Sequence, residues 1–490
     1  MRYANPDLKS DIDLQDISLH FIIRQDGKPY AEEINKYDRI FQKIKQYSAE
    51  TITREVLEKY RTLVIKAGKE EMIHYDVILT TCAVGGSQMC VEGVQNSVFQ
   101  IIVDESAMIP EPFCLVPIVA HKAKQVVLIG DHKQLRPVIQ CKAAADLGLD
   151  QSLFERLFTQ YSKQSISLNW QYRMHPAISE FPSQEFYNGQ LETRQSPLWT
   201  GSPLPFWPLL RNERVPHLFV DVRGQEEMLT VTTDEGNEKS KSNKQEARKV
   251  VDIFKFLNTE HGVDIKTIKI LTQYNAQRSL IENELKKLCD DQYDPNRNQI
   301  STVVSSQGGE WDYVILSTVR SLPAHQLEQR PTHGWCIQNM GFITDKNQIN
   351  VALTRARRGL IIVGNKELLK CDQFWGRLIE RYEKMRCVRR GEEFPYPRVG
   401  TFIMETVVDA VVKAPVTMTD SGVVCSYLRL EFSPYVPSAY RADCLDTPVS
   451  SMFAPSFLCI CIMGVRMFIP FLSCLLLKKV CERVSLNIKR

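Results

Sequence analysis

Short apolar runs alternate with amphipathic stretches from about residue 75 to residue 371. Several runs are continuously apolar, which is typical of parallel strands covered by helices on both faces. Residues 10–69 instead carry apolar side chains every third or fourth position among charges, which predicts helices, with Gly68 as an end signal. This order of elements predicts an α/β fold. The six apolar runs are residues 77–79, 101–103, 126–129, 268–271, 314–316 and 360–363.

Two polar segments interrupt this pattern. Residues 201–216, GSPLPFWPLLRNERVP, are rich in proline and predict a loop or linker. Residues 232–247, TTDEGNEKSKSNKQEA, predict a polar loop that leads into a helix. No repeat of fixed period is visible.

Composition places the chain among soluble globular proteins. It has 490 residues, of which 43% are hydrophobic and 24% charged, and two or three domains are expected at roughly 100–200 residues each. The net charge of +3 excludes a general polycation, so nucleic acid would be bound through local patches. The 14 cysteines form no regular framework and the first residues are polar, which indicates a reducing compartment, cytoplasmic or nuclear.

One apolar segment near the end of the chain has the length of a membrane span. Residues 452–477 contain a single charge, Arg466. Pro455, Gly464 and Pro470 interrupt the segment, and together with the central arginine they disfavour a transmembrane helix. Residues 399–490 as a whole are expected to be poorly ordered.

Polar groups follow the apolar runs. In open parallel sheets, ligands bind beyond the carboxyl ends of the strands, so these groups are expected to share one polar site. The groups are Thr80 and Thr81, Asp104 and Glu105, Asp131 to Gln134, Thr272 to Tyr274, and Gln307 to Glu310.

The stretch IIVDESAM places two carboxylates at the exit of a strand. Nucleoside triphosphate hydrolases hold Mg²⁺ with an Asp in this position, and an adjacent Glu can deprotonate the attacking water. Asp104 and Glu105 fit these roles. Carboxylates are also common at helix starts because of the helix dipole, so this pair alone leaves both interpretations open.

Two segments offer arginines for a γ-phosphate. INVALTRARRGLIIVGN places Arg355, Arg357 and Arg358 on a predicted helix before a buried strand, and LNWQYRMHPAIS contains Tyr172 and Arg173. The alternative is a solvated helix face. Because the residues around the first cluster are apolar, at least one of its arginines is expected to point into a polar environment.

Taken together, the motifs resemble those of superfamily 1 helicases, in particular the Upf1-like (DNA2/NAM7-type) branch. DESA, GDHKQLRP, QYRMHP, LTQYNAQ, SSQGGEWDYVILSTVR and NVALTRAR occur in that family's order over residues 75–371. The resemblance implies two RecA-like parallel-sheet domains of the P-loop NTPase type. The implied division is a helical remnant at 1–74, an incomplete first domain at 75–160, a second domain at 161–398 and an atypical tail at 399–490.

The resemblance also implies ATP and Mg²⁺ as cofactors and assigns catalytic roles. Asp104 would coordinate Mg²⁺ through water, Glu105 would be the catalytic base and Gln134 would sense the γ-phosphate. Arg173 and Arg355 would reach the γ-phosphate from the second domain, with Arg355 as the arginine finger.

The resemblance also assigns binding roles to further residues. Tyr172 would stack near the adenine, and Glu310 would hold the ribose or the Mg²⁺ shell, in a loop shaped by Gln307 and Gly308. Thr80 and Thr81 would contact a nucleic-acid backbone from the first domain, and Thr302 and Ser305 from the second. RNA is expected rather than DNA, and contacts to the RNA backbone would not depend on the base sequence.

The family's phosphate loop, G-x-x-x-x-G-K-[ST], does not occur in the sequence. Gly27-Lys28 is followed by Pro29, and Gly68-Lys69 by Glu70. A chain truncated at its amino end would explain this, and such a chain is expected to hydrolyse almost no ATP. The alternative is a non-enzymatic RNA- or partner-binding module. Three segments are similar to nuclear-receptor coactivators with RNA-processing modules, which implies partners of those kinds.

Overall fold

The computed structural model describes residues 16–47, 52–94, 97–194, 203–233, 236–288, 299–395 and 461–464. The chain divides into two compact units. Unit 1 comprises Met1–Leu168 and Pro455–Arg490, and unit 2 comprises Asn169–Ala454. Apart from residues 461–464, the tail at 399–490 lies outside the described residues, and its expected lack of order stays a prediction.

Unit 1 begins with three helices, α1 (Leu19–Ile22), α2 (Ala31–Tyr47) and α3 (Arg54–Met72). They bury a small core of their own that includes Ile34 and Tyr60. The prediction that Gly68 ends a helix was wrong, because α3 continues through it to Met72. A β-carbon on Gly68 would lie 3.0 Å from the sulfur of Met89, so this glycine permits close packing inside the helix.

The sheet of unit 1 has four strands in the order β1-β16-β2-β3. β2 and β3 are parallel, and β16 from the tail pairs antiparallel with both β1 and β2. The first three apolar runs of the sequence are thus strands. The bounds are β1 Val77–Thr80, β2 Gln100–Val103, β3 Gln125–Leu128 and β16 Cys461–Gly464.

Five helices accompany this sheet. α6 contains Cys114, which is buried in the core of the unit with Ile101 and Val103 of β2. The helices are α4 Cys82–Gly85, α5 Gln88–Gly93, α6 Glu111–His121, α7 Lys142–Ala144 and α8 Leu153–Gln160.

Unit 2 is built on a six-stranded sheet in which every neighbouring pair is parallel, in the order β12-β11-β13-β14-β8-β15. The predicted α/β fold is confirmed, since the central strands β11, β13 and β14 are the last three apolar runs of the sequence. The bounds are β8 His217–Asp221, β11 Ile268–Thr272, β12 Ile300–Thr302, β13 Trp311–Ser317, β14 Ala356–Gly364 and β15 Val388–Arg390.

Helices and short strands surround this sheet. The helices are α9 Pro176–Tyr187, α10 Lys244–Lys255, α11 Asn275–Leu288, α12 His333–Met340, α13 Lys346–Leu353, α14 Lys366–Leu369 and α15 Gln373–Lys384. The short strands are β4 Trp170–Gln171, β5 Glu192–Thr193, β6 Leu209–Leu210 and β7 Glu213–Arg214.

Two sequence predictions in unit 2 were wrong. The segment 232–247 is not a loop before a helix, because Gly236–Asn243 forms β10, which pairs with β9 (Glu226–Thr233) in an antiparallel hairpin. Arg355, Arg357 and Arg358 do not lie on a helix, because α13 ends at Leu353 and β14 begins at Ala356. The candidate membrane segment at 452–477 lies outside the described residues except for β16. In the part of the chain that the structure describes, no helix is long and apolar enough to cross a bilayer.

Candidate functional site

The two carboxylates of unit 1 lie directly after β2. The Asp104 carboxylate accepts a hydrogen bond from the backbone N–H of Glu105 at 2.9 Å, and both side chains are half-buried. Glu105 has a φ of 51° and a ψ of 33°, the left-handed region that residues other than glycine rarely adopt. Such backbone outliers concentrate at functional sites, where the surrounding structure compensates for the strain.

Contacts between the ends of β2 and β3 hold this strained turn. Ser106 donates hydrogen bonds to the carbonyl of Ile129 from both its backbone N–H, at 2.8 Å, and its hydroxyl, at 2.7 Å. A β-carbon on Gly130 would lie 2.9 Å from the backbone nitrogen of Ala107, so only glycine allows the two segments to approach this closely. The Asp104-Glu105 turn therefore lies beside the loop that begins at Asp131.

That loop carries Gln134, whose side-chain amide donates to Oδ2 of Asp131 at 2.9 Å. The Asp131 carboxylate also accepts from the backbone N–H of Lys133 at 2.9 Å. The structure thus brings the predicted residues Asp104, Glu105 and Gln134 to the carboxyl ends of two adjacent parallel strands. Carboxylate oxygens held at such strand ends are the ligands that Mg²⁺ prefers, so Asp104 fits its predicted metal role.

Thr80 and Thr81 follow β1 in the same sheet. The Thr80 hydroxyl donates to the carbonyl of Thr81 at 3.3 Å, and the Thr81 hydroxyl caps α4 by accepting from the N–H of Val84 at 3.3 Å. Both hydroxyls therefore make local contacts.

Neither Gly-Lys pair forms a phosphate loop. Gly27-Lys28 lies between α1 and α2, and the Lys28 ammonium is bound by the carboxylate of Glu71 at 2.7 Å. Gly68-Lys69 lies inside α3, and Lys69 pairs with Glu92. A phosphate loop follows a strand and precedes a helix, whereas these pairs lie in purely helical surroundings.

In unit 2, Glu310 lies between two arginines. Its Oε2 accepts from Nε of Arg173 at 2.5 Å, and its Oε1 accepts from a terminal nitrogen of Arg357 at 2.6 Å. Burial opposes ionisation of Glu310, but the hydrogen bonds and charges of Arg357 and Arg173 outweigh it and lower the pKa to about 2. The side chains of Arg173 and Arg357 are 30% and 27% exposed, so both arginines remain partly accessible.

The loop that carries Arg173 is held in place by Gln171. The Gln171 amide oxygen accepts from the backbone N–H groups of Arg173 and Met174, at 3.1 and 2.8 Å. Its amide nitrogen donates to the carbonyl of Met174 and to the hydroxyl of Thr193. Sequence reasoning missed Gln171, although its place inside the QYRMHP motif was a signal.

Two further hydrogen bonds join the same loop to the segment that carries Arg357. The backbone N–H of His175 donates to the carbonyl of Arg357 at 2.8 Å, and Arg173 donates to the carbonyl of Thr354 at 3.1 Å. His175 also caps α9, since its Nδ1 accepts from the N–H of Ala177. Tyr172, predicted to lie near the adenine, is 41% exposed beside these residues in the chain.

Arg355 does not join this accessible cluster. It is 1% exposed and donates to the carbonyls of Val351 and Gly309, at 3.0 and 3.3 Å, and to the hydroxyl of Thr354 at 3.0 Å. The sequence predicts that at least one arginine beside the TRAR motif (residues 354–357) points into a polar environment. Arg355 does so, because its guanidinium donates to buried carbonyls, and its role there is in packing. Arg357, two residues on and in β14, is the arginine that reaches Glu310.

The loop before Glu310 turns at Gly308, whose φ of 75° favours glycine. The backbone N–H of Gly309 donates to the carbonyl of Ser306, which closes the turn. Gln307 and Gly308 thus lie in the loop that presents Glu310 at the start of β13, as the sequence places them.

Unit 2 does not gather all of its polar groups at one edge of the sheet. Glu310 and Arg357 lie at the amino ends of β13 and β14. Thr302 ends β12 and is paired in register with Thr272 at the end of β11, and Ser305 follows it with a hydroxyl contact of 3.0 Å to Thr302. The expectation of one shared site at the carboxyl ends was therefore wrong for this unit, because the loop from 303 to 310 runs back to the amino ends.

No group of three or more potential metal-binding side chains of His, Cys, Asp or Glu occurs in the described part of the chain. Seven cysteines between residues 82 and 387 of the described part of the chain are free thiols. The candidate site residues form two sets. Asp104, Glu105 and Gln134 form a carboxylate set in unit 1, and Arg173, Arg357 and Glu310 form an arginine set in unit 2.

Comparison with known proteins places this arrangement in a family. Two family models, each described as an AAA domain, match residues 10–142 and 149–367. The 3'-5' exoribonuclease HELZ2 of Mus musculus is 40% identical over 78% of this chain and 12% of its own length. A homologue of regulator of nonsense transcripts 1 from Arabidopsis thaliana is 37% identical over 76% of this chain and 28% of its own length.

The ATP-dependent helicase NAM7 of Saccharomyces cerevisiae is 34% identical over 79% of this chain and 36% of its own length. The chain thus spans between about an eighth and about a third of these relatives. Among solved structures, a PRRSV helicase matches 54% of this chain and 34% of its own at 16% identity, with a TM-score of 0.24, which is too low to support the fold by itself. With its motifs in order and these relatives along most of its length, the chain belongs to the Upf1-like branch of the superfamily 1 helicases.

Proposed function

We propose that the chain is a region of an ATP-dependent nucleic-acid helicase or translocase, with RNA as the preferred strand. The Arg173-Glu310-Arg357 cluster supports this proposal most strongly. Two guanidinium groups are held close together by one ionised carboxylate while both stay partly exposed. A cluster with only a packing role would bury them, as happens to Arg355.

In this proposal unit 1 supplies the acid–base and metal chemistry. Asp104 would hold Mg²⁺ through water, and the metal would supply positive charge opposite the phosphates. Glu105, held in a left-handed backbone conformation, accepts the proton of the attacking water. Gln134, oriented by Asp131, donates a hydrogen bond to the γ-phosphate or to that water.

Unit 2 supplies positive charge for a triphosphate. Arg173 and Arg357, and not Arg355 as the resemblance implies, donate to the γ-phosphate oxygens. Glu310 keeps the two guanidinium groups oriented before the nucleotide arrives, which reduces the reorganisation needed for catalysis. Arg355 supports the surrounding loop by donating hydrogen bonds to the carbonyls of Gly309 and Val351. Tyr172 stacks near the adenine.

The nucleic-acid strand would contact Thr80 and Thr81 of unit 1 and Thr302 and Ser305 of unit 2. Hydroxyl contacts to phosphate and sugar position a strand without reading its sequence. Such contacts support movement along RNA of any sequence. Cytoplasmic or nuclear RNA and RNA-processing partners fit this role.

A second function is favoured for the chain by itself, namely RNA or partner binding without turnover. Its two Gly-Lys pairs lie in helical surroundings, and their lysines pair with Glu71 and Glu92. We infer that this chain alone binds ATP weakly and hydrolyses almost none.

The test compares two activities of the purified chain with those of an intact relative. We expect the chain to bind single-stranded RNA in an anisotropy titration and to show no RNA-stimulated ATP turnover. Turnover similar to that of the intact relative would disprove the inference of inactivity. Failure to bind any nucleic acid would contradict the proposed function, and Phe113→Ala, an exposed site on α6, serves as a control for surface changes.

A further inference from the structure

Phe342 is an aromatic side chain that is exposed to solvent. It lies in the 3₁₀-helix Gly341–Thr344 of unit 2 and is 61% exposed. The next residue, Ile343, is fully buried. The turn therefore leaves the Phe342 ring exposed while the side chain of Ile343 anchors it in the core.

The turn that presents Phe342 is rigid. The carbonyl of Ile343 accepts from the indole N–H of Trp375 at 2.7 Å, and Trp375 is 1% exposed. The Thr344 hydroxyl donates to the carbonyl of Gly341 at 2.9 Å. Gly341 has a φ of 62°, and a β-carbon there would lie 2.9 Å from the guanidinium of Arg320. Because the backbone is held from several sides, a ligand that covers the ring would not have to order a loose loop.

Phe342 also lies beside the carboxyl edge of the sheet. The Gln273 amide donates to the Phe342 carbonyl at 3.1 Å, and Gln273 is the first residue after β11. Tyr274 packs behind the ring at 6.0 Å between centroids. The last residue of β11 is paired with Thr302, one strand away, and neighbouring strands are about 4.8 Å apart. The exposed ring and the Thr302-Ser305 turn therefore lie at the same carboxyl edge of the sheet.

The surroundings fit a nucleic-acid strand better than an apolar partner. Arg278, one helical turn after Tyr274, and Lys346, four residues after Phe342, are exposed and positively charged. Proteins that bind single strands combine such basic residues with aromatic side chains on which bases stack. The stacking tolerates any base, because every base offers a π-face.

We propose that Phe342 is a stacking platform for one nucleobase of a single strand whose backbone crosses the Thr302-Ser305 turn. The inference rests on the proposed nucleic-acid function and adds to it a contact with the base, where the hydroxyl groups contact only the backbone. Gln273 and Tyr274 are positioning residues, since they hold the turn and support the ring.

The test measures binding of the full chain to a labelled 12-nucleotide oligouridylate and to an abasic strand of the same length. Phe342→Ala is expected to weaken binding to the oligouridylate about 5-fold to about 150-fold, the range for loss of one base–aromatic stack. Phe342→Trp is expected to restore it, and Phe342→Leu to recover only part. The matched control is Phe113→Ala, which removes a phenylalanine that is 56% exposed on α6 of unit 1.

The abasic strand separates stacking from general contact. The unchanged chain and Phe342→Ala are expected to bind it equally, because it offers no base to stack. If Phe342→Ala and the unchanged chain bind oligouridylate equally while Thr302→Val weakens binding, the stacking platform is wrong and the proposed function stands. If the ring serves a protein partner, Phe342 variants will leave all RNA affinities unchanged. If the unchanged chain binds neither strand, the proposed function itself fails.

Discussion

Arg173 and Glu310 lie 137 positions apart in the sequence, and Nε of the arginine is 2.5 Å from Oε2 of the glutamate. The same carboxylate binds Arg357 with its other oxygen. The contact joins the QYRMHP motif to the loop before β13 and to the start of β14, so one carboxylate organises three motifs of unit 2.

Replacing Glu310 with Ala is expected to destabilise unit 2. Loss of one partner from a fully buried ion pair costs about 3–5 kcal/mol, and the partial exposure of this cluster reduces the expected loss to about 1–3 kcal/mol. Urea denaturation measures the change. Glu192→Ala, which removes the partner of Arg194 in a pair whose side chains are 63% and 48% exposed, is the control and is expected to cost under about 1 kcal/mol. Equal losses in the two variants would contradict the role given to the cluster.

The same carboxylate predicts a dependence on pH. The pKa of Glu310 is lowered from 4.5 to about 2, so the unfolded chain takes up a proton at a higher pH than the folded chain. The stabilisation is complete above pH 4.5 and is lost as the pH falls towards 2. The free energy of unfolding, followed from pH 6 to pH 3, is expected to fall less in Glu310→Gln than in the unchanged chain. Identical pH profiles would show that the carboxylate is not held by the arginines.

The two arginines of the TRAR motif are expected to behave differently. Arg355→Ala removes the hydrogen bonds to the carbonyls of Val351 and Gly309 and creates a cavity, so a loss of about 3 kcal/mol is expected. Arg357→Ala removes a side chain that is 27% exposed and is expected to cost about 1 kcal/mol. Thermal unfolding of the two variants gives the comparison. A more damaging Arg357→Ala would reverse the roles assigned here.

How far the sequence could predict these features depends on the type of signal. The continuously apolar runs at 314–316 and 360–363 identified buried parallel strands, because hydrophobicity records burial directly. The β9-β10 hairpin was missed because GNEKSKSN contains hardly an apolar residue, and its pairing depends on partners elsewhere in the fold. The roles of Arg355 and Arg357 could not be separated either. Both belong to one motif, and only the three-dimensional packing shows which one is buried.

His217 predicts a second dependence on pH. It is 1% exposed at the start of β8, and burial, with smaller contributions from the charges of Arg381 and His175, lowers its pKa from 6.5 to about 3. The folded chain keeps the ring neutral while the unfolded chain protonates it, so stability is lost as the pH falls below 6.5. Between pH 7 and pH 5 the loss is expected to be about 2 kcal/mol, at about 1.4 kcal/mol per pH unit.

Urea denaturation at both pH values checks this contribution. His217→Leu is expected to lose most of the difference between them, because its side chain cannot be protonated. His325→Gln, at an exposed position, is the control and is expected to keep the difference. A His217→Leu variant with an unchanged difference would place the pH dependence elsewhere in the chain.

The most direct test of the central claim is the RNA-stimulated rate of ATP hydrolysis after the phosphate loop is supplied. A segment with a strand, a G-x-x-x-x-G-K-[ST] phosphate loop and a helix would be fused before the first residue of this chain. We expect the fusion to hydrolyse ATP in an RNA-dependent way, and Glu105→Gln or Arg357→Ala in the fusion to reduce the rate at least 100-fold, in line with the loss of a key catalytic group. A fusion that hydrolyses ATP equally well with and without those changes would contradict the assignment of the carboxylate and arginine sets.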